Sequence, residues 1–206
     1  MTSKRAHAWL WMKAPMPMVT VFKTLNVSNL CRRSRRGYTF NMLMCYCIGR
    51  AAMQTEEMFL MPVGEKLIEY ERDKLAIGIV VELEDGTVAN CDLPFSMDIE
   101  EFDRVYRARV AQVRESGRDV TVGEDYAVIG ASAVLAGEID GVVNMYTGIY
   151  NNPFFAWARY HQSFFKTTLK LSMQFHHTQM DGGHAVRMLE RLQKEIDALH
   201  LPKRKE

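Results

Sequence analysis

Leu169-Lys170-Leu171-Ser172-Met173-Gln174-Phe175-His176-His177-Thr178-Gln179-Met180-Asp181-Gly182-Gly183-His184 changes its hydrophobic period partway along. Up to Phe175 the apolar residues fall at every second position, the pattern of a strand with one buried face. Beyond the Gly pair, Ala185, Met188, Leu189, Leu192, Ile196 and Leu199 recur at spacings of three and four. That is the stripe of an amphipathic helix, and Glu190 and Lys194 add a favourable pair one turn apart. A strand-to-helix junction can fix a histidine in one tautomer and aim it into a cleft. The pair His176-His177 is therefore the place to look for a general base. The apolar set occupies odd positions, so a continued strand puts His177 on the buried face and turns His176 the other way.

Outward from this junction the chain reads as strands and helices in irregular order. Residues 4–12 suit a short helix, ended by the prolines of Ala14-Pro15-Met16-Pro17-Met18. Residues 19–25 read as a strand, and Asn26 or Ser28 can cap a helix after it. A strongly apolar helix follows over residues 39–53, and residues 67–71 look extended. Leu75 to Val81 and Val88 to Cys91 flank Asp85-Gly86, a hairpin signal. Phe102, Val105, Tyr106, Val110 and Val113 keep a helical period that Gly117 stops. Residues 126–135 and 142–150 are further strand candidates. Without a regular β-α alternation, the expectation is an α+β fold, a two-layer mixed sheet with helices, in one domain over residues 1–206.

Composition excludes several classes of function. Lys plus Arg number 26 and Asp plus Glu 25, so a net charge of +1 gives no electrostatic case for nucleic acid or a membrane surface. The cluster Arg32, Arg33, Arg35 and Arg36 reads as a solvated turn before Gly37. No apolar run approaches the length of a membrane span. Cys31, Cys45, Cys47 and Cys91 have neither zinc-ribbon nor thioredoxin spacing. Reduced, mostly buried thiols in a cytoplasmic protein are expected.

Three readings of the histidine run stand open on spacing alone. His177 is a general base with Asp181 fixing local geometry, or His176, His177, Asp181 and His184 form a metal site of a hydrolase, or the histidines are structural. Adjacent histidines on a strand diverge, and the two-histidine helix signature of zinc peptidases is absent, so no metal is expected.

The run His176-His177-Thr178-Gln179-Met180-Asp181-Gly182-Gly183-His184, followed by Arg187-Met188-Leu189, resembles the C-terminal end of the chloramphenicol acetyltransferase family. The likeness extends over most of the chain and is specific in the last 40 or so residues. Its shorter core, His-x-x-x-Asp-Gly, also occurs in dihydrolipoyl acyltransferase and peptide-synthetase condensation domains. The resemblance implies the CoA-dependent acyltransferase fold and direct transfer of acetyl from acetyl-CoA, as co-substrate, to a hydroxyl of a small acceptor. It implies His177 as the base, with one ring nitrogen bonded to its own carbonyl. It also implies a structural Asp181 paired with Arg5, Ser132 as oxyanion donor, and Arg159 and Tyr160 beside the CoA adenosine phosphate. It further implies a homotrimer with active sites between subunits. Four positions depart from the family pattern. Met12 stands seven residues after Arg5 where chloramphenicol-acting members have tyrosine. Val134-Leu135 replaces a Pro-Trp, and Ala156 replaces a water-ordering threonine. The departures leave room for a different acceptor, or for a catalytically degenerate trimeric binding protein of the same fold.

Overall fold

The computed structural model describes residues 8–146, 148 and 151–201. A 3-10 turn at Ala8–Lys13 leads into β1 (Met18–Asn26), α1 (Ser28–Ser34) and α2 (Phe40–Met53). A second 3-10 turn at Glu56–Phe59 precedes β2 (Leu60–Val63) and β3 (Lys66–Glu69), which pair only with each other. Then come β4 (Leu75–Glu82), β5 (Val88–Pro94), α3 (Ile99–Ser116), β6 (Ala127–Ala133), β7 (Phe154–Trp157), β8 (His161–Gln162), β9 (Thr167–His176) and α4 (Gly182–Ala198).

The main sheet runs in the order β1-β9-β7-β6-β4-β5, with β8 beside β9. Its centre, β7-β6-β4, is parallel, while β1-β9, β9-β7 and β4-β5 are antiparallel. This is the mixed sheet with helices expected from the irregular element order. Local chemistry sets the ends of the helices. Thr39 accepts the Met42 amide at the start of α2, and Asp98 accepts those of Glu100 and Glu101 at the start of α3. Gly117, at φ 63°, closes α3 in the left-handed conformation that glycine adopts without strain. One face of the sheet is sealed by α2 and α4. Leu25, Ile77, Ile129, Phe155, Leu171, Met173 and Phe175 are buried there with Met42, Leu43, Met44 and Ile48 of α2 and Leu192 and Ile196 of α4. No helix among the described residues is long and apolar enough to cross a membrane.

Two expectations need correction. Residues 142–146 form no strand, and the strand in this region is β7 at Phe154–Trp157. The stretch instead crosses the sheet face opposite the helices. The Val142 amide donates to Ser172 Oγ, the Gln174 amide group donates to the Asn144 carbonyl, and Lys170 pairs with Asp140. A Cβ at Gly141 would come within 2.3 Å of the exposed Phe22 ring, so a larger residue there would require that ring to shift. The second correction follows from the first. Alternation in β9 predicts exposed even positions, yet Ser172, Gln174 and His176 are all buried.

Candidate active site

His177 stands one residue beyond the end of β9. Its amide donates to the Pro17 carbonyl at 2.8 Å, which extends the β1-β9 pairing by one step. The following turn closes on itself: the amides of Gln179 and Met180 both donate to the His176 carbonyl. Phe175 and Met180, both fully buried, anchor the turn on either side. The junction is therefore held by backbone bonds and apolar burial before any functional contact is counted.

Of the two histidines, His176 is the deeply buried one, at 2% exposure, and His177 is half-buried. Parity alone expected His177 to be the buried one. The loop over the far face of β9 buries the even positions, while His177 lies past the strand end. His176 Nδ1 accepts the Thr178 amide at 3.1 Å. Burial, with the neighbouring His177 adding to it, pushes its pKa down to about 4. His176 is thus a neutral structural imidazole.

His177 faces different partners. Its Nδ1 lies 3.2 Å from the Met180 carbonyl. A carbonyl only accepts, so Nδ1 carries the proton and the neutral ring keeps its lone pair on Nε2. The resemblance implies that the ring bonds its own carbonyl. Here the carbonyl three residues on takes that place, with the same effect on the tautomer. The Trp11 indole stacks on the imidazole, with centroids 4.7 Å apart and planes 13° from parallel. Counting from Arg5 points to Met12 as the neighbour of this site, but the ring beside the histidine belongs to Trp11, one residue earlier. Arg5 lies outside the described residues.

Asp181 is the N-cap of α4 and accepts the His184 amide at 3.0 Å. Burial works against its charge, but the amide and ring of His184 hold its carboxyl below the usual range. His184 Nδ1 is 2.7 Å from Asp181 Oδ1, and its Nε2 is 3.0 Å from Glu57 Oε1. Asp181 caps α4 and, through His184, links it to Glu57 in the 3-10 turn at Glu56–Phe59. His176, His177 and His184 are drawn to separate partners and do not converge, and no metal-holding cluster occurs among the described residues.

Ser132 is half-buried on β6, on the sheet face away from Ile129 and Ala131. It is in register with Ala156 on β7 and, through it, with Ser172 on β9. Two strand spacings and five residues of rise separate it from His177, about 19 Å in all. Within one chain, therefore, the serine and the histidine do not meet. Ala156 brings no hydroxyl, but the buried Ser172 hydroxyl lies beside it and donates to its carbonyl at 3.2 Å.

Arg159 and Tyr160 are brought together at the other end of β9. Both line a cleft of about 680 Å³ shared with Thr39, Phe40, Arg114 and Trp157. Arg159 Nε donates to the Leu135 carbonyl, and the Tyr160 ring tilts against Phe40 at 5.2 Å. Roughly 25–30 Å of strand separates this cleft from His177. Sequence reasoning missed Trp11, Arg114 and Trp157, which no local motif marks.

Comparison with known proteins matches residues 15–193 to the family described as chloramphenicol acetyltransferase. Chloramphenicol acetyltransferase 2 of Escherichia coli is 29% identical over 166 residues, covering 78% of this chain and 76% of that protein. A solved chloramphenicol acetyltransferase superposes with a TM-score of 0.76 at 18% identity, covering 94% of this chain and 95% of the other. A dihydrolipoamide acetyltransferase of Azotobacter vinelandii, studied for a serine, a histidine and an asparagine in its catalytic mechanism, gives 0.67 at 16% identity. That match covers 93% of this chain and 84% of the other. These structures share the fold of this chain.

Proposed function

The chain belongs to the chloramphenicol acetyltransferase family, and from that premise we propose that it moves an acetyl group from acetyl-CoA to a hydroxyl of a small acceptor, with His177 as general base. The observation that carries the proposal is the Nδ1 contact with the Met180 carbonyl, which leaves Nε2 as the free base. Nε2 takes the acceptor's hydroxyl proton as the oxygen attacks the thioester carbonyl. The oxyanion of the tetrahedral intermediate receives a hydrogen bond from Ser132. The intermediate collapses to the acetyl ester and CoA thiolate, and the imidazolium returns its proton to the thiolate. A positioned base of this kind contributes roughly 10²–10⁴-fold.

The spread of the parts supports assembly from more than one copy. Ser132 and the Arg159-Tyr160 cleft both lie far from the same chain's His177. In a trimer the serine and cleft of one subunit serve the histidine of the next. The serine, histidine and asparagine studied in the Azotobacter vinelandii enzyme support Ser132, His177 and Asp181 as the counterparts here. Its histidine and asparagine stand four residues apart, as His177 and Asp181 do. Trp11 replaces the family's tyrosine as the ring at the acceptor side. The acceptor is accordingly an alcohol whose fit depends on an indole wall, with chloramphenicol as one candidate. Four free thiols suit a cytoplasmic setting.

The test is release of CoA thiol from acetyl-CoA against a panel of hydroxyl acceptors that includes chloramphenicol. His177→Ala is expected to lose at least 10²-fold. Equal turnover by wild type and His177→Ala overturns the assignment. Tight acetyl-CoA binding without turnover on any acceptor points to a non-catalytic relative instead.

A further inference from the structure

The sheet face turned away from the helices carries a carboxylate and an aromatic ring close to Ser132. Strand register places Asp92, Gly78, Gly130 and Phe154 in one row across β5, β4, β6 and β7. Ile77, Ile129 and Phe155 alternate with this row and point into the helix-side core, so the row itself faces outward. Ser132 stands two residues beyond Gly130 on β6 and shares its face. The two glycines let their neighbours lie flat on the sheet. A Cβ at Gly78 would stand 2.8 Å from Asp92 Oδ1, and one at Gly130 would stand 2.3 Å from the Phe154 ring. The carboxyl thus lies over Gly78 and the ring over Gly130, on adjacent strands about 5 Å apart. Asp92 is half-buried, and its Oδ2 accepts the Val122 amide at 3.1 Å. The Arg109 guanidinium donates to the Asp92 main-chain carbonyl at 2.8 Å rather than to the carboxyl. Burial pushes the Asp92 pKa up, against the Val122 amide and Arg109, which pull it down. A positive charge brought to Oδ1 favours the ionised carboxyl, and the face of the neighbouring ring attracts the same charge.

We propose that the acceptor is an alcohol that also carries a positive charge, an ammonium group seated between Asp92 and Phe154. The inference rests on the acetyltransferase reading above, in which Ser132 holds the oxyanion, and it names the substrate class of that site. One strand spacing and two residues of rise put the carboxyl over Gly78 about 8 Å from Ser132. A short carbon chain between hydroxyl and nitrogen spans that gap, with the hydroxyl at the reacting thioester and the nitrogen at Asp92. The carboxylate supplies the charge and the ring supplies the apolar side of the seat. An uncharged alcohol in the same place leaves Asp92 half-buried with no counter-charge on the acceptor.

Release of CoA thiol is compared for matched pairs of acceptors. The charged members are short-chain trimethylammonium alcohols, whose nitrogen cannot itself be acetylated. Each is set against the uncharged isostere in which carbon replaces that nitrogen. Wild type is expected to favour the charged member by about tenfold or more in kcat/KM. Asp92→Asn keeps an oxygen for the Val122 amide and removes the charge, and is expected to bring that ratio to about one. Phe154→Leu is expected to lower the ratio about threefold. The ratio is read within each protein, so a general loss of activity in a variant does not imitate the effect. A wild-type ratio near one, or turnover of chloramphenicol but of no charged alcohol, overturns the proposal and leaves the acetyltransferase reading in place. Asp92→Asn that keeps the wild-type ratio overturns the role of the carboxylate, and Phe154→Leu that keeps it overturns the role of the ring. No turnover on any acceptor overturns the acetyltransferase reading itself, and this inference with it.

Discussion

The two ends of β9 are finished to different degrees. At its C-terminal end the polar groups that set the His177 turn already have protein partners. The His177 amide bonds Pro17, its Nδ1 bonds Met180, and Asp181 is held by His184. At its N-terminal end, Trp157 keeps an unbonded donor and the cleft holds cations without a lining carboxylate. One end holds the histidine proposed as the base in a fixed pose, which proton transfer requires. The other holds unspent interactions, which a binding site requires. On the proposed function, the distance between the ends leaves neither of them a complete reaction centre within one chain.

The sharpest way to break this comparison is to make the two ends come from different chains. Ser132→Ala is expected to lower turnover about 10²–10³-fold, and His177→Ala to remove it. If the serine of one subunit serves the histidine of the next, co-assembled mixtures of the two variants contain some sites with both residues intact. Thiol release from such mixtures is expected to exceed that of either variant alone by more than tenfold. Mixed oligomers no more active than the better parent would place both residues in one chain's site, or remove Ser132 from the mechanism.

The rigid end is also expected to be acid-sensitive, through His176. Its folded-state pKa, pushed down to about 4, lies below the ordinary 6.5. Between those values the unfolded chain takes up a proton that the folded chain refuses. The stability is therefore present in full above pH 6.5 and is lost as pH falls toward 4, by about 3 kcal/mol from this group. His176→Asn keeps an acceptor for the Thr178 amide and removes the titration. Urea unfolding of both proteins across this window checks it. The variant is expected to show the shallower slope, and identical slopes would mean that His176 titrates freely.

Removing the cap of α4 is a smaller perturbation. Asp181→Ala leaves the His184 amide without its acceptor and His184 with Glu57 alone. The expected loss is about 1–2 kcal/mol by denaturant unfolding. Activity is expected to fall more than stability, because the turn that carries His177 shares this cap. Full activity in Asp181→Ala would show that the His177 turn stands without it.

The two ends also differ in how much of them the sequence reveals. The β9-α4 junction is legible because its information is local. Period two gives way to period 3.6, the cap and the glycines sit between, and the motif residues are neighbours in the chain. The cleft gathers residues from the start of α2, from α3 and from the end of β7, and no period or motif links them. β7 itself escaped notice because a short strand buried in a sheet centre does not alternate, and the valines at 142–143 gave a false signal. The contacts of Ser172 and Gln174 come from a loop arriving from 30 residues away. Trp11 carries no motif of its own, and its place on His177 is visible only in the fold.

Trp11 gives the finest test of how fixed the rigid end is. Its ring is partly exposed and stacks on His177. If Met180 alone orients the imidazole, removing the indole costs only acceptor contact and raises the KM of the acceptor. If the stack also holds the ring, kcat falls too. A stack of this kind is worth about 0.5–1.5 kcal/mol, roughly two- to tenfold in rate. Trp11→Ala is expected to lower kcat within that range, and Trp11→Phe to restore most of it for acceptors small enough not to need the wider wall. A Trp11→Ala variant with unchanged kcat and a raised acceptor KM would assign the indole to the acceptor pocket and leave the Met180 carbonyl as sufficient to position the base.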